Sequence, residues 1–297
     1  MGLGRLRKLS TGNRGGARRR SVANRAVTIA LSVGALVAAA VVLPGAARAS
    51  APVSLLVVGD SLTVQAGPAV PQWEPPGSNV VVEGGIGTAP CDWAAGYYDL
   101  WWHRYMNFYT FFDQAHPRAV VFAFTGNAGV SGPKAGCVDA STRYSLQDLL
   151  ESYAKVLAPM AQYASSHGAA VFFSATPPRN PATPPGSYPD GHGHTLYGYN
   201  GVAQINDVYQ ALAVSGAGLG WHYDVSAAYG VSEPGLAWTL DLPCQWWDTT
   251  NCHRGQVQVR AGGLDSIHLD PHGAGAVRYA LGLMRQPLLG EGFQPRA

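Results

Sequence analysis

Four short runs of this 297-residue chain carry side chains that can do chemistry together. Gly59-Asp60-Ser61 offers a serine hydroxyl. Gly84-Gly85-Ile86-Gly87 offers backbone N–H groups with little side chain around them. Gly126-Asn127 offers a carboxamide, and Asp265-Ser266-Ile267-His268 offers an imidazole with a carboxylate three residues before it. A serine hydroxyl is a weak nucleophile until an adjacent base takes its proton. His268 can accept that proton and later return it to a leaving alcohol. Asp265 can hold the imidazole in the required tautomer and stabilise its charged form. The negative oxygen of a tetrahedral intermediate needs donors already in place. The N–H groups of Ser61 and Gly87 and the side-chain amide of Asn127 can supply them. These parts suit acyl transfer through serine, a chemistry that needs no cofactor and no metal.

Hydrophobic patterning indicates what must position them. Ser54–Val58, Val80–Val82, Ala119–Phe124 and Ala169–Ser174 are short continuous apolar runs, and His222–Val225 is a weaker fifth. Continuous runs suit strands buried on both faces of a parallel sheet. Helical spacing fills the gaps. It is clearest over Leu146–Ser166, with Leu149, Leu150, Tyr153, Val156, Leu157 and Met160 three and four residues apart. Tyr199–Val214 and Ala274–Met284 read as two more helices, the last preceded by Asp270-Pro271. Repeated strand–helix units predict an α/β domain with right-handed crossovers. In such a sheet, ligands gather beyond the carboxyl ends of the strands. Ser61, the Gly84–Gly87 run and Asn127 each follow a predicted strand directly.

The same residues carry a family resemblance. VVGDSLT (57–63), GGIGT (84–88), TGN (125–127) and DSIHLDPHGA (265–274) resemble the four signature blocks of the SGNH, or GDSL, hydrolases, in that family's order. The resemblance spans about residues 54–285. It implies a three-layer α/β/α, flavodoxin-like fold around a central parallel sheet of about five strands. It implies esterase, lipase or carbohydrate-deacetylating activity. It also implies Ser61 as nucleophile, His268 and Asp265 as its partners, and Ser61, a second-block glycine and Asn127 as the oxyanion hole. Gly87 is the preferred glycine, with Gly85 second. The third block departs from the common Gly-Asn-Asp, since Ala128 follows Asn127.

Charge and cysteines bear on where such chemistry takes place. Residues 1–49 hold nine of the twenty Lys and Arg and none of the eighteen Asp and Glu. The remainder has eleven basic against eighteen acidic side chains, so it offers no basic body for nucleic acid. The leader has a basic start, an apolar stretch from Ala26 to Leu43, and the junction Ala47-Arg48-Ala49. That is the pattern of a signal peptide cut after Ala49, leaving residues 50–297 as the hydrolase domain. An uncleaved leader would instead attach the body to a membrane. The four cysteines, Cys91, Cys137, Cys244 and Cys252, suggest two disulfides in an exported chain. The favoured pairing is Cys91–Cys137 and Cys244–Cys252.

Other groups have plainer readings. Asp60 is expected to hydrogen-bond the turn that presents Ser61 rather than act as the triad acid. Asp270 reads as a helix cap and His272 as a first-turn residue. Asp190, His192 and His194 alternate with glycine in a long loop at 178–197 and read as a solvated turn, not a metal site. Tyr97, Tyr98, Trp101, Trp102 and Tyr105 sit at helical spacing, which predicts a core-packing stripe. Trp246 and Trp247, in a second long loop at 229–263, can stack on a sugar face or an acyl chain.

The sequence therefore points to an exported carboxylic-ester hydrolase acting on a small-molecule, lipid or glycan ester. An extracytoplasmic O-acyltransferase would use the same residues with a sugar hydroxyl as acceptor. A non-catalytic carbohydrate-binding protein would lack a triad member, and none is missing. A monomer is the expectation.

Overall fold

The computed structural model describes residues 54–139, 144–181, 188–189, 195–196, 203–248, 251–261, 267–270 and 274–289. The chain divides into two units, Met1–Arg48 and Ala49–Ala297, and all described residues belong to the second. The leader, Asp265, His272 and the Asp190–His192–His194 cluster lie outside the described residues.

Five strands form one parallel sheet: β1 (Leu55–Gly59), β2 (Val80–Gly84), β3 (Ala119–Ala123), β4 (Ala170–Ser174) and β5 (Trp221–Asp224). Their spatial order is β2-β1-β3-β4-β5, every pair parallel. This is the flavodoxin-like order. The chain runs outward from β1 to β2, then returns past β1 to β3. The switch point, where such sheets bind ligands, therefore lies at the carboxyl ends of β1 and β3. β1 is buried along its whole length, which is why its residues are apolar without alternation.

Eight α-helices among the described residues cover the two faces. They are α1 (Ser61–Ala66), α2 (Val70–Trp73), α3 (Pro90–Ala95), α4 (Phe108–Ala115), α5 (Leu146–Ser166), α6 (Gln204–Ser215), α7 (Ser226–Gly230) and α8 (Ala274–Arg285). Leu56, Val58, Val120 and Phe122 face one core, filled from α3 to α6 by residues such as Trp93, Phe108, Tyr153 and Tyr209. Leu55, Val57, Ala119 and Val121 face the other, filled by Leu62, Val70, Ala227, Tyr279 and Leu283 from α1, α2, α7 and α8. The period-two alternation of strand side chains thus divides into two helical layers. α5 begins at Ser145, whose hydroxyl caps the Asp148 N–H while the Asp148 carboxylate answers the Ser145 N–H.

Two expectations need correction. The run Tyr97–Tyr105 is not a helical core stripe. It folds as an antiparallel hairpin, Tyr97–Asp99 against Arg104–Met106, that leaves Tyr98, Trp101, Trp102 and Tyr105 exposed and buries Tyr97 alone of these aromatics. Of the helix expected over Tyr199–Val214, residues 199–202 lie outside the described residues, and α6 covers the rest from Gln204. The long segment at 229–263 is also more structured than a loop. It contains the hairpin Asp241–Pro243 with Gln256–Gln258, next to the Cys244–Cys252 disulfide. Cys91 is joined to Cys137. Within the Cys244–Cys252 loop, Trp246 and Trp247 pack edge-on against Trp73, with ring centroids 6.4 and 6.0 Å away.

Candidate active site

Asp60 sits between β1 and α1 and builds the corner from which Ser61 projects. One oxygen of its carboxylate accepts the Leu62 N–H at 3.1 Å, which caps α1. The other accepts the Thr125 N–H at 2.7 Å, the Thr125 hydroxyl at 2.6 Å and the Asn127 amide at 3.0 Å. One buried carboxylate thereby joins the turn after β1 to the turn after β3. Burial pushes its pKa up from 3.8 to about 6, with the Thr125 and Leu62 hydrogen bonds and the charge of His268 opposing that rise. The expectation for Asp60 held at the turn and missed the link to Asn127.

Ser61 opens α1, and Gln65 lies one turn further along the same helix face. The Ser61 hydroxyl is 3.0 Å from Nε2 of His268. Gln65 accepts the Leu269 N–H at 3.1 Å, so α1 grips the histidine segment next to His268 itself. Behind that segment, Arg260 and Leu269 form a β-bridge, and the Ala261 N–H donates to the His268 carbonyl at 2.9 Å. Arg260 is fully buried. Its guanidinium donates to the carbonyls of Ile267 (2.7 Å), Val231 (3.1 Å) and Pro178 (3.4 Å). A 207-residue separation between Ser61 and His268 is closed by these contacts.

The second and third blocks approach the same rim. The Gly85 N–H donates to the Gly59 carbonyl at 3.1 Å, fastening the second block to the end of β1. A side chain on Gly85 would collide with the Tyr97 hydroxyl, 2.0 Å from its Cβ position. Gly85 to Thr88 form a turn closed by the Thr88 N–H on the Gly85 carbonyl, with Gly87 at φ +73°. A residue in that conformation is normally glycine. A Cβ on Gly87 would meet only Val130, at 3.9 Å. In the third block, the Tyr153 hydroxyl accepts the Gly126 N–H at 3.1 Å and donates to the Asn127 carbonyl at 3.0 Å. Burial pushes the Tyr153 hydroxyl pKa well up, so it stays protonated and able to donate.

Asp92, buried in α3, accepts the N–H groups of Ala89 (2.8 Å), Val130 (3.0 Å) and Ser131 (2.7 Å). It pins the chain that follows Asn127, beside the Cys91–Cys137 disulfide. Cys91, Asp92 and Cys137 also come within reach of one another, but the two sulfurs are spent on each other and cannot ligate a metal.

Ser61 and His268 are thus brought into hydrogen-bond contact, and Asn127 is tied to the same corner through Asp60. Gly87 occupies the neighbouring turn, and Asp265 is outside the described residues. Asp92, Tyr153, Gln65 and Arg260 were not expected as supports. Tyr153 was legible only as one member of the α5 core stripe.

No protein-family model matches this chain, and no curated protein matches it. Solved structures similar to it include a carbohydrate acetylesterase family member from Sinorhizobium meliloti, at 14% identity and a TM-score of 0.46, covering 80% of this chain and 99% of that one. A GDSL-like lipase from Bacteroides thetaiotaomicron is similar at 11% identity and a TM-score of 0.43, covering 80% and 88%. The catalytic domain of a peptidoglycan O-acetyltransferase from Streptococcus pneumoniae is similar at 14% identity and a TM-score of 0.36, covering 82% and 96%.

Proposed function

We propose that this chain is an exported serine esterase of the SGNH (GDSL) type, hydrolysing carboxylic esters through an acyl-enzyme on Ser61. The observation that carries this reading is the 3.0 Å contact between the Ser61 hydroxyl and Nε2 of His268 at the switch point of the sheet. His268 takes the hydroxyl proton as Ser61 Oγ attacks the ester carbonyl. The imidazolium then protonates the leaving alcohol. Water, deprotonated by the same nitrogen, releases the acid and restores the serine. Asp265 is the proposed carboxylate partner of His268.

The oxyanion is assigned to the N–H of Ser61, the N–H of Gly87 and Nδ2 of Asn127. An amide nitrogen has two hydrogens, and Asp60 takes one from Asn127, leaving the second for substrate. An ionised carboxylate only accepts, so Asp60 also determines which end of the Asn127 amide faces it. Gly87 is favoured over Gly85 because the Gly85 N–H is already spent on Gly59. Export is supported by the three-part leader and by two disulfides. No helix among the described residues is long and apolar enough to cross a membrane.

The test is hydrolysis of p-nitrophenyl acetate and butyrate by the purified protein. Ser61→Ala is expected to lower kcat by several orders of magnitude, as about 10⁶ in one measured triad. Unchanged turnover in that variant would remove the assignment.

A further inference from the structure

The hairpin between α3 and α4 displays apolar side chains to water while its own frame is tightly held. Leu100 is 80% exposed, Trp101 72% and Tyr98 54%. Its base is fastened by the Tyr97 ring on Trp93, by the Arg104–Glu83 ion pair at the end of β2, and by the Tyr105 hydroxyl on the Ala95 carbonyl. Its tip is ordered by Asp99, whose carboxylate accepts the N–H groups of Trp101 (2.8 Å) and Trp102 (2.9 Å). The Tyr97 hydroxyl donates to the second oxygen of Asp99 at 3.4 Å. An apolar patch held rigidly in water points to a binding role.

The hairpin walls a cavity of about 610 Å³ whose opposite side is Ile86, Val130 and Ser131. Ile86 precedes Gly87, and Val130 follows Asn127 by three residues and lies 3.9 Å from where a Cβ on Gly87 would sit. The cavity therefore adjoins both turns to which the oxyanion donors are assigned. The leaving alcohol of an ester must face His268, which protonates it. The acyl substituent diverges from both His268 and the oxyanion donors, so it needs a wall beside those turns. The lining is mostly apolar, from Ile86, Leu100, Val130 and the rings of Tyr97, Tyr98 and Trp101; Ser131 adds one hydroxyl, and the Asp99 carboxylate is already occupied by three donors. A sugar ring would need partners for its hydroxyls as well as a face to stack on. An alkyl chain needs only the apolar wall.

We propose that this cavity is an acyl-chain subsite, so that the preferred esters carry an acyl chain well beyond acetyl in length. The proposal rests on the esterase reading of Ser61. It is tested with kcat/KM for p-nitrophenyl octanoate and p-nitrophenyl acetate in the full chain. The wild type is expected to favour octanoate by about tenfold or more, the worth of roughly two buried methylenes. Trp101→Ala removes one wall, and Val130→Phe fills the cavity; both positions are exposed, so the fold tolerates the change. Each is expected to lower the octanoate-to-acetate ratio by about tenfold. A ratio unchanged in both variants, or a wild-type preference for acetate, overturns the subsite and leaves the esterase reading intact. Binding of cis-parinaric acid to the Ser61→Ala protein reads the cavity without turnover. Saturable binding weakened by Trp101→Ala is expected, and binding that Trp101→Ala leaves untouched counts against the subsite. If neither ester is hydrolysed in a Ser61-dependent way, the esterase reading falls, and the fatty-acid titration alone decides whether the cavity takes an acyl chain.

Discussion

Nδ2 of Asn127 donates to Oδ2 of Asp60 at 3.0 Å, so the residue before the proposed nucleophile holds the amide proposed to meet the oxyanion. The two act as one unit, which gives a prediction about additivity. Asn127→Ala deletes an oxyanion donor and is expected to lower kcat by about 10²–10³. Asp60→Asn keeps the shape but turns an amide nitrogen toward donors, either at Thr125 and Asn127 or at Leu62. It should lower kcat by releasing Asn127 and destabilise the protein by about 2 kcal/mol. The double variant should turn over no more slowly than the worse single variant. Multiplying losses in kcat would show that Asp60 does not act through Asn127.

Asp60 also predicts a pH dependence of stability. Burial raises its pKa from 3.8 to about 6, above the value in the unfolded chain. The folded state therefore holds the proton more tightly. The stability contributed by protonated Asp60 is fully present below about pH 4 and is lost as pH rises through 6. That rise amounts to about 3 kcal/mol. Glu83 and Asp224, also raised by burial, act in the same direction. Activity should run the other way, because a protonated Asp60 gives up an acceptor that Thr125 and Asn127 use. Tm followed calorimetrically from pH 4 to 7 should show a smaller fall in Asp60→Asn than in the wild type. Parallel curves for the two proteins would remove Asp60 as the source.

The two disulfides should differ in what they control. Cys91–Cys137 closes 46 residues and Cys244–Cys252 only 8. Chain entropy alone gives about 4 kcal/mol for the first and about 2.5 kcal/mol for the second. The first also sits beside Asp92, which holds Val130 and Ser131 just after Asn127. Cys91→Ser with Cys137→Ser should therefore reduce both Tm and kcat. Cys244→Ser with Cys252→Ser should reduce chiefly Tm. Equal effects on kcat from the two pairs would contradict this division.

The sheet was legible because its strands are buried on both faces, and such strands must be continuous apolar runs. β1 at Leu55–Gly59 and β3 at Ala119–Ala123 could be read for that reason. Ser61 and Asn127 stood out as candidates because glycine-rich punctuation follows their strands, and His268 because few residue types suit the proposed chemistry. The aromatic hairpin was misread for a physical reason. Tyr98, Trp101, Trp102 and Tyr105 repeat every three or four residues, as core stripes do, but their environment is water. Spacing of three and four also arises by chance in a short hairpin, where it marks neither a helical face nor burial. Tyr153 shows the converse. Its ring belongs to the core stripe of α5, and only the position of its hydroxyl, on Gly126 and Asn127, reveals the second role.

Arg260 had no signal at all, being one cation in a polar segment, and it yields the sharpest prediction about the histidine. Its buried guanidinium spans the carbonyls of Ile267, Val231 and Pro178, and its backbone bridges Leu269. A lysine carries one nitrogen and cannot reach three carbonyls in that fork. Arg260→Lys should destabilise by about 2–4 kcal/mol, as buried acceptors lose their donors. The loss should also loosen the segment that places His268 against Ser61. At temperatures where the variant is folded, kcat should fall by about tenfold with KM nearly unchanged, the signature of an interaction felt in the transition state. Arg278 is the control. It is also buried and donates to Asp248 and the Pro243 carbonyl, away from His268. Arg278→Lys should lower Tm and leave kcat where it was. If both arginine variants lose kcat in proportion to Tm, Arg260 merely stabilises the fold; if only Arg260→Lys loses kcat, the guanidinium positions the base.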